Sequence, residues 1–138
     1  MIRVMLDEGA HLPEKAYSTD GGFDLKSCEM KIIPAGGSAV FDTGVHMQIP
    51  FGYAGLIVSK SGLNVKHNIT STGLVDCGYT GSIQVKLYNH GKTDYLVHEG
   101  DKISQIVLKA ISPEHECVEV SSFDVTERGV GGFGSTGR

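Results

Sequence analysis

Residues 81–89 read "GSIQVKLYN". Ile83, Val85 and Leu87 alternate there with Gln84, Lys86 and Tyr88. A strand sends successive side chains to opposite faces, so this period of two predicts a strand with one face on a core and the other outward. Other short runs rich in β-branched and aromatic residues lie to either side: "IRVML", "GFDLKS", "MKII", "SAVFDTGVHMQI", "YAGLIVS", "DYLVH" and "DKISQIVLKAI". Nineteen glycines and four prolines punctuate them. Many short strands separated by turn residues predict an all-β domain built as a sandwich, barrel or jelly roll. Only "KSGLNVKHN", residues 60–68, suits a helix, and a short one. The β domain is expected to span residues 1–121, with residues 122–138 as a C-terminal tail.

A chain of 138 residues fits one domain with a core that needs no covalent staples. The formal net charge of −4 argues against a general nucleic-acid binder, which needs a basic face. No apolar run approaches the ~18 residues of a membrane span. The opening "MIRVMLDEGA" turns acidic at Asp7, unlike a signal peptide. Cys28, Cys77 and Cys117 are odd in number and far apart, which fits neither a disulfide framework nor a zinc site. The expected compartment is the reducing cytoplasm. The six histidines lack the spacings of a metal helix.

Five stretches carry groups that could do chemistry, and each has a plain structural reading beside the functional one. In "GGFDLKS" Asp24 lies between Phe23 and Leu25 and so points away from their face; it could be any outward strand residue. "SKSGL" ends an apolar run with an ammonium (Lys60), a hydroxyl (Ser61) and the free backbone N–H of Gly62. That trio suits a phosphate, and Ser61 equally suits a helix N-cap. In "GLVDCGYTG" Asp76 could act as a general base on water and Tyr79 could cover a sugar or base, or the stretch could be a polar turn. In "GDKISQIVL" Gln105 shares a face with Ile103 and Val107 and is either a satisfied core amide or aimed at a partner. The tail "RGVGGFGSTGR", residues 128–138, is too glycine-rich to hold a shape alone, yet it carries Arg128, Phe133 and Ser135. It is either a frayed end or a phosphate-cradling segment, and it lacks the context of a P-loop or a dinucleotide fingerprint.

In order and spacing these stretches resemble the five motifs of the trimeric dUTPase family, from about Leu6 to Gly137. The resemblance implies a jelly-roll-like β subunit with one short helix and a flexible arm, assembled as a homotrimer with active sites at subunit interfaces. It implies hydrolysis of dUTP to dUMP and pyrophosphate, with water attacking the α-phosphorus, Asp76 as general base and Mg2+ across the phosphates. Asp24 would hold magnesium-bound waters rather than the ion. Lys60, Ser61, Gly62 and Gln105 match phosphate-binding positions. Tyr79 would pack under the deoxyribose and exclude a 2′-hydroxyl. A hairpin at residues 70–75, including Gly73, Leu74 and Val75, would read the uracil edge together with Gln84. The arm, residues 122–138, would close as a lid, with Phe133 stacking on uracil and Arg128, Gly134 and Ser135 near the phosphates.

The chain departs from the family pattern at Lys60, where arginine is usual, and at Gly78, where a second acid often stands. The segment before Asp76 is about one residue shorter than in some relatives. Two other readings compete. A dCTP deaminase of the same fold would need a glutamate where this chain has Lys86. A non-catalytic, regulatory dUTPase-like binder would have little use for Asp76, Tyr79 and a complete arm.

Overall fold

The structure is a computed structural model and describes residues 1–137. Ten strands and one short helix follow in chain order: β1 (Arg3–Leu6), β2 (Phe23–Lys26), β3 (Lys31–Ile33), β4 (Ser38–Asp42), β5 (Val45–Gln48), β6 (Tyr53–Val58), α1 (Ser61–His67), β7 (Ile69–Val75), β8 (Gln84–Asn89), β9 (Tyr95–Val97) and β10 (Lys102–Ala110). Six strands form one curled sheet in the order β2-β10-β6-β7-β8-β4, and the pairs β1-β5 and β3-β9 form two ribbons. Every pairing is antiparallel. The result is the all-β, jelly-roll-like half-barrel that the short punctuated strands predict. No described helix is long and apolar enough to cross a membrane.

The alternation in residues 83–88 is realised. Ile83, Val85 and Leu87 are buried beside Phe41, Leu25, Ile33, Ile69, Ile103 and Ile106, while Gln84 and Lys86 face outward. Each such side chain contributes about 1.5–3 kcal/mol when fully buried. This single cluster holds the sheet and both ribbons together.

Three local expectations are corrected. The run "SAVFDTGVHMQI" is two strands, not one. It breaks at Thr43 and Gly44, where Gly44 takes φ 62° and a Cβ would lie 2.7 Å from that of Ala10. That break lets β4 edge the main sheet while β5 turns away to pair with β1. In β10 the register shifts between Lys102 and Ser104, so Ile103 and Ser104 are both buried and Gln105 does not share the face of Ile103. Residues 70–75 belong to a strand rather than a hairpin: β7 pairs with β8 only over residues 69–71 and with β6 over residues 72–75.

The helix forms where expected, one residue earlier than a Ser61 cap requires. Lys60 is its N-cap, in extended backbone with no side-chain cap, and Ser61 is its first residue. Asn68 closes it at φ 57°. The last sheet residue is Ala110, and the Ile111 N–H still donates to the Gly52 carbonyl at 2.9 Å. Residues 112–130 are exposed, and the described arm residues make only short turns among themselves, such as Ser135 N–H to Gly132 O at 3.1 Å. Arg138 lies outside the described residues.

Candidate active site

The chain leaves β6 at Ser59, and a hydroxyl relay fixes that exit. Ser59 Oγ accepts from the Ser71 N–H at 2.9 Å and donates to the Ser71 carbonyl at 3.1 Å, so one side chain continues the β6–β7 pairing where the backbone turns off. Below it, the fully buried Ser104 hydroxyl lies 2.7 Å from Ser71 Oγ and donates to the Val58 carbonyl at 2.8 Å. The Gln105 amide donates to the Ser59 carbonyl at 3.1 Å. Buried polar groups without partners are costly, and here each is satisfied. Gln105 is thus engaged with the Lys60 turn from below. The neighbouring Gly22 leaves its amide oxygen space, since a Cβ there would come within 3.0 Å of it.

Asp24 is not an outward residue: only 8% of it is exposed. Glu14 bridges antiparallel to the free edge of its strand, with the Asp24 N–H donating to the Glu14 carbonyl at 2.8 Å, and Glu14, Lys15, Lys26 and Lys102 line a small pocket with Asp24. Its carboxylate is held by two ammonium groups. Lys60 Nζ donates to one oxygen and Lys102 Nζ to the other at 2.8 Å. Burial pushes the Asp24 carboxyl up, but the hydrogen bonds and charges of Lys102 and Lys60 outweigh it and hold it below its ordinary 3.8. The same contact raises the Lys102 ammonium. Lys102 is a residue that the sequence reading passes over. Its only signal is a position three residues before Gln105 in a stretch already singled out.

Asp76, Tyr79 and Gln84 form a second group. Beyond residue 71 strands β7 and β8 separate, and the gap is a shallow cleft of about 230 Å³ lined by Leu74, Val75, Asp76, Tyr79, Ile83 and Gln84. The loop of residues 76–82 closes one end. Gly78 sits there at φ 95°, a conformation that an acidic side chain would strain, which gives a backbone reason for its departure from the family pattern. The Tyr79 hydroxyl donates to the Ser82 carbonyl at 3.0 Å, and the ring lies over Gly81, where any Cβ would collide with it. Asp76 is exposed beside this ring.

The two groups lie apart in one subunit. Val75 pairs with Gly55 near the start of β6, whereas Lys60 follows its end. Six residues of extended chain at ~3.3 Å each separate Lys60 from the position opposite Asp76, or about 20 Å. The third group is the arm. Arg128 donates from Nε to the Gly131 carbonyl at 2.9 Å, and Phe133 is fully exposed. Gly134, at φ 78°, and Ser135 hydrogen-bond within the arm, to Gly137 and Gly132. The structure therefore joins Asp24, Lys60 and Gln105 in one place, and Leu74, Val75, Asp76, Tyr79 and Gln84 in another. Ser61 and Gly62 start α1 beside the first group, and Gly73 leads into the second, where a Cβ would crowd Ile57 Cγ1 at 3.3 Å.

Among the described residues no cluster of three or more His, Cys, Asp or Glu could hold a metal ion. Both Asp24 oxygens carry ammonium groups. This donor set does not build a protein cage. It fits a magnesium ion that keeps several waters and leans on substrate phosphates, with one protein carboxylate reached through water.

Comparison with known proteins bears on this geometry. The dUTPase family model matches residues 8–137. The deoxyuridine 5'-triphosphate nucleotidohydrolase of Clostridium acetobutylicum is 43% identical over 135 residues, covering 96% of this chain and 92% of that protein. The enzyme of the same name from Eremothecium gossypii is 42% identical over 138 residues, covering 99% and 90%. Among solved structures, the Staphylococcus bacteriophage 80alpha dUTPase with dUPNHPP superposes with a TM-score of 0.93 at 30% identity, covering 100% of this chain and 99% of that one. A mutant dUTPase from phage phi11 of S. aureus, described as coordinating a structural Mg(II) ion, gives a TM-score of 0.82 at 29% identity, covering 91% and 99%. With the match spanning nearly the whole chain and the named relatives matched along nine-tenths of their length, the chain belongs to the dUTPase family.

Proposed function

We propose that this chain is a dUTP diphosphatase that hydrolyses dUTP to dUMP and pyrophosphate, with each active site assembled from more than one subunit of a homotrimer. The water oxygen bonds to the α-phosphorus, its proton passes to the Asp76 carboxylate, and the bond from the α-phosphorus to the bridging oxygen breaks to release pyrophosphate. Lys60, Ser61, the Gly62 backbone and Gln105 bind the phosphates. Tyr79 packs on the deoxyribose, where it leaves no room for a 2′-hydroxyl. Gly73, Leu74, Val75 and Gln84 read the uracil edge, since a wrong base would leave buried groups unpaired. Arg128, Phe133, Gly134 and Ser135 arrive with the arm, residues 122–138, beyond a β domain of residues 1–121. Magnesium, carried on the triphosphate with Asp24 meeting its waters, would supply charge neutralisation.

One observation carries the multi-subunit reading: Lys60 and Asp76 stand at opposite ends of β6, about 20 Å apart by strand rise. A nucleotide triphosphate needs both at one phosphate chain, so the second group has to come from another copy.

The test is complementation. Lys60→Ala and Asp76→Asn, each impaired alone, are unfolded, mixed and refolded together. Mixed assemblies should regain pyrophosphate release from dUTP, because some of their sites pair an intact Lys60 with an intact Asp76. A mixture no more active than the average of its parents, with mixed assembly verified by mass, would mean both groups act within one subunit. Wild-type protein assayed with dUTP, UTP, dCTP and dTTP separates this activity from deamination and from binding without turnover.

A further inference from the structure

The loop of residues 76–82 carries Asp76 and Tyr79, and a side chain outside both groups described above holds it. His46 of β5 places Nδ1 at 2.7 Å from the Thr80 carbonyl, one residue after Tyr79. Its other ring nitrogen, Nε2, lies 3.1 and 3.2 Å from the two carboxylate oxygens of Asp7, just past the end of β1. A backbone carbonyl and an ionised carboxylate only accept hydrogen bonds, so both ring nitrogens have to donate. Only the imidazolium does that. A neutral ring keeps one contact and faces the other acceptor with a lone pair.

We propose that His46 is a positioning residue for the Tyr79 loop: as an imidazolium it ties the Thr80 carbonyl to Asp7 and so sets where Tyr79 stands. The inference rests on the dUTPase reading above, in which Tyr79 packs on the sugar. The surroundings favour the charged ring. Asp7 faces it directly and Asp42 lies nearby at the end of β4, against one cation, Arg3 of β1, which lines the same surface cleft as His46 and Thr80. The Thr80 hydrogen bond and then Asp7 raise the His46 ring above its ordinary 6.5, against a small opposing effect of burial. A raised value means that the tie is complete below pH 6.5 and is lost as pH rises through the folded value. Asp42 reinforces the same loop from another side by accepting from the Ser82 hydroxyl.

Two isosteres separate the contacts. His46→Asn keeps a donor near Nδ1, for Thr80, at every pH. His46→Gln keeps one near Nε2, for Asp7, and leaves Thr80 untied. The experiment measures kcat and KM for dUTP from pH 5.5 to 9, together with amide exchange of residues 76–82 without substrate. In wild type, loop exchange and KM should both rise through one titration that coincides with the His46 ring by NMR. His46→Asn should keep the low-pH KM and lose that titration. His46→Gln should show the raised KM and fast exchange already at pH 5.5, by roughly three- to tenfold. Asp7→Asn should move the wild-type inflection down. Identical pH profiles in wild type and His46→Asn, or His46→Gln behaving as wild type, overturn the proposal. The exchange measurement needs no turnover. A loop that responds in a protein inactive on dUTP would therefore fault the function, and an unresponsive loop in an active one would fault the tie.

Discussion

Tyr79 can be tested as the sugar gate without being replaced. Gly81 stands two residues on, and a Cβ built there lies 2.6 Å from the Tyr79 Cζ and closer still to its hydroxyl. Non-bonded carbons settle at about 3.5–4.0 Å, so Gly81→Ala has to move the ring by about 1 Å. The backbone absorbs none of this, because Gly81 is not among the glycines at positive φ and alanine adopts its conformation. The ring is half exposed and free to swing. The cost in stability is therefore chiefly the Tyr79–Ser82 hydrogen bond, about 1 kcal/mol, or about 4 °C in Tm. The cost in catalysis should be larger, since a misplacement of about 1 Å can lower a rate by ~10²-fold. For dUTP, kcat/KM should fall by about 10- to 100-fold. For UTP it should fall less or rise, because the space denied to the 2′-hydroxyl opens. Tyr79→Phe is the control: it loses the same hydrogen bond with no clash and should keep the dUTP preference. If Gly81→Ala lowers Tm as expected but leaves the dUTP/UTP ratio unchanged, Tyr79 does not discriminate the sugar.

At the other group, Lys60→Arg should retain turnover and Lys60→Ala should lose about 10- to 100-fold in kcat/KM, the worth of one charge-assisted contact; pyrophosphate release measures both. Lys102→Met should weaken binding of a non-hydrolysable dUTP analogue by calorimetry, although its ammonium reaches Asp24 and not Ser61 or Gly62; unaltered affinity would remove it from the site. Asp24, held below 3.8, contributes stability that is present above that pH and is lost as pH falls through its lower folded value. Urea midpoints between pH 2.5 and 6 should accordingly show an acid limb that is shallower in Asp24→Asn. Deleting residues 129–138 removes no strand and should leave the thermal transition in place while lowering kcat, since contacts made only with the arm closed act on the transition state.

Local patterns read directly from the chain proved reliable where one rule governs the backbone. Ile83, Val85 and Leu87 obey the strand period, and Asn68 ends α1 where a run of helix-compatible residues runs out. The misreadings arise where a distant segment intervenes. Asp24 follows the same alternation as its neighbours, but Glu14 closes the edge of its strand and two lysines from elsewhere bind its carboxylate. The shift in β10 between Lys102 and Ser104 is a pairing event with β2, and no feature of residues 102–108 alone announces it. The break at Gly44 depends on Ala10 and Cys28 packing against it. The site followed the same pattern. Motif order singled out its candidate residues, but only the strand register reveals that Lys60 and Asp76 belong to opposite ends of β6.

That register, with the ion pairs, also bears on how a chain of net charge −4 receives a polyanion. Lys60 is bound to Asp24 before any phosphate arrives. Pulling it away would strand a buried carboxylate, and breaking such a pair outright costs about 3–5 kcal/mol. Lys102 changes that sum, because Asp24 keeps one ammonium when the other leaves. On the proposed reading, Lys60 can exchange a carboxylate for a phosphate at nearly constant local charge, while Lys102 stays on Asp24. Lysine suits this transfer better than the usual arginine. Its compact ammonium on a flexible stem can turn between two oxygen partners, whereas a planar guanidinium grips one carboxylate with two parallel bonds. The pair Lys60 and Lys102 therefore acts as a unit, and a Lys60→Arg, Lys102→Met double variant should bind the analogue more weakly than the two single effects combined, because the guanidinium would then be the sole cation of a buried acid.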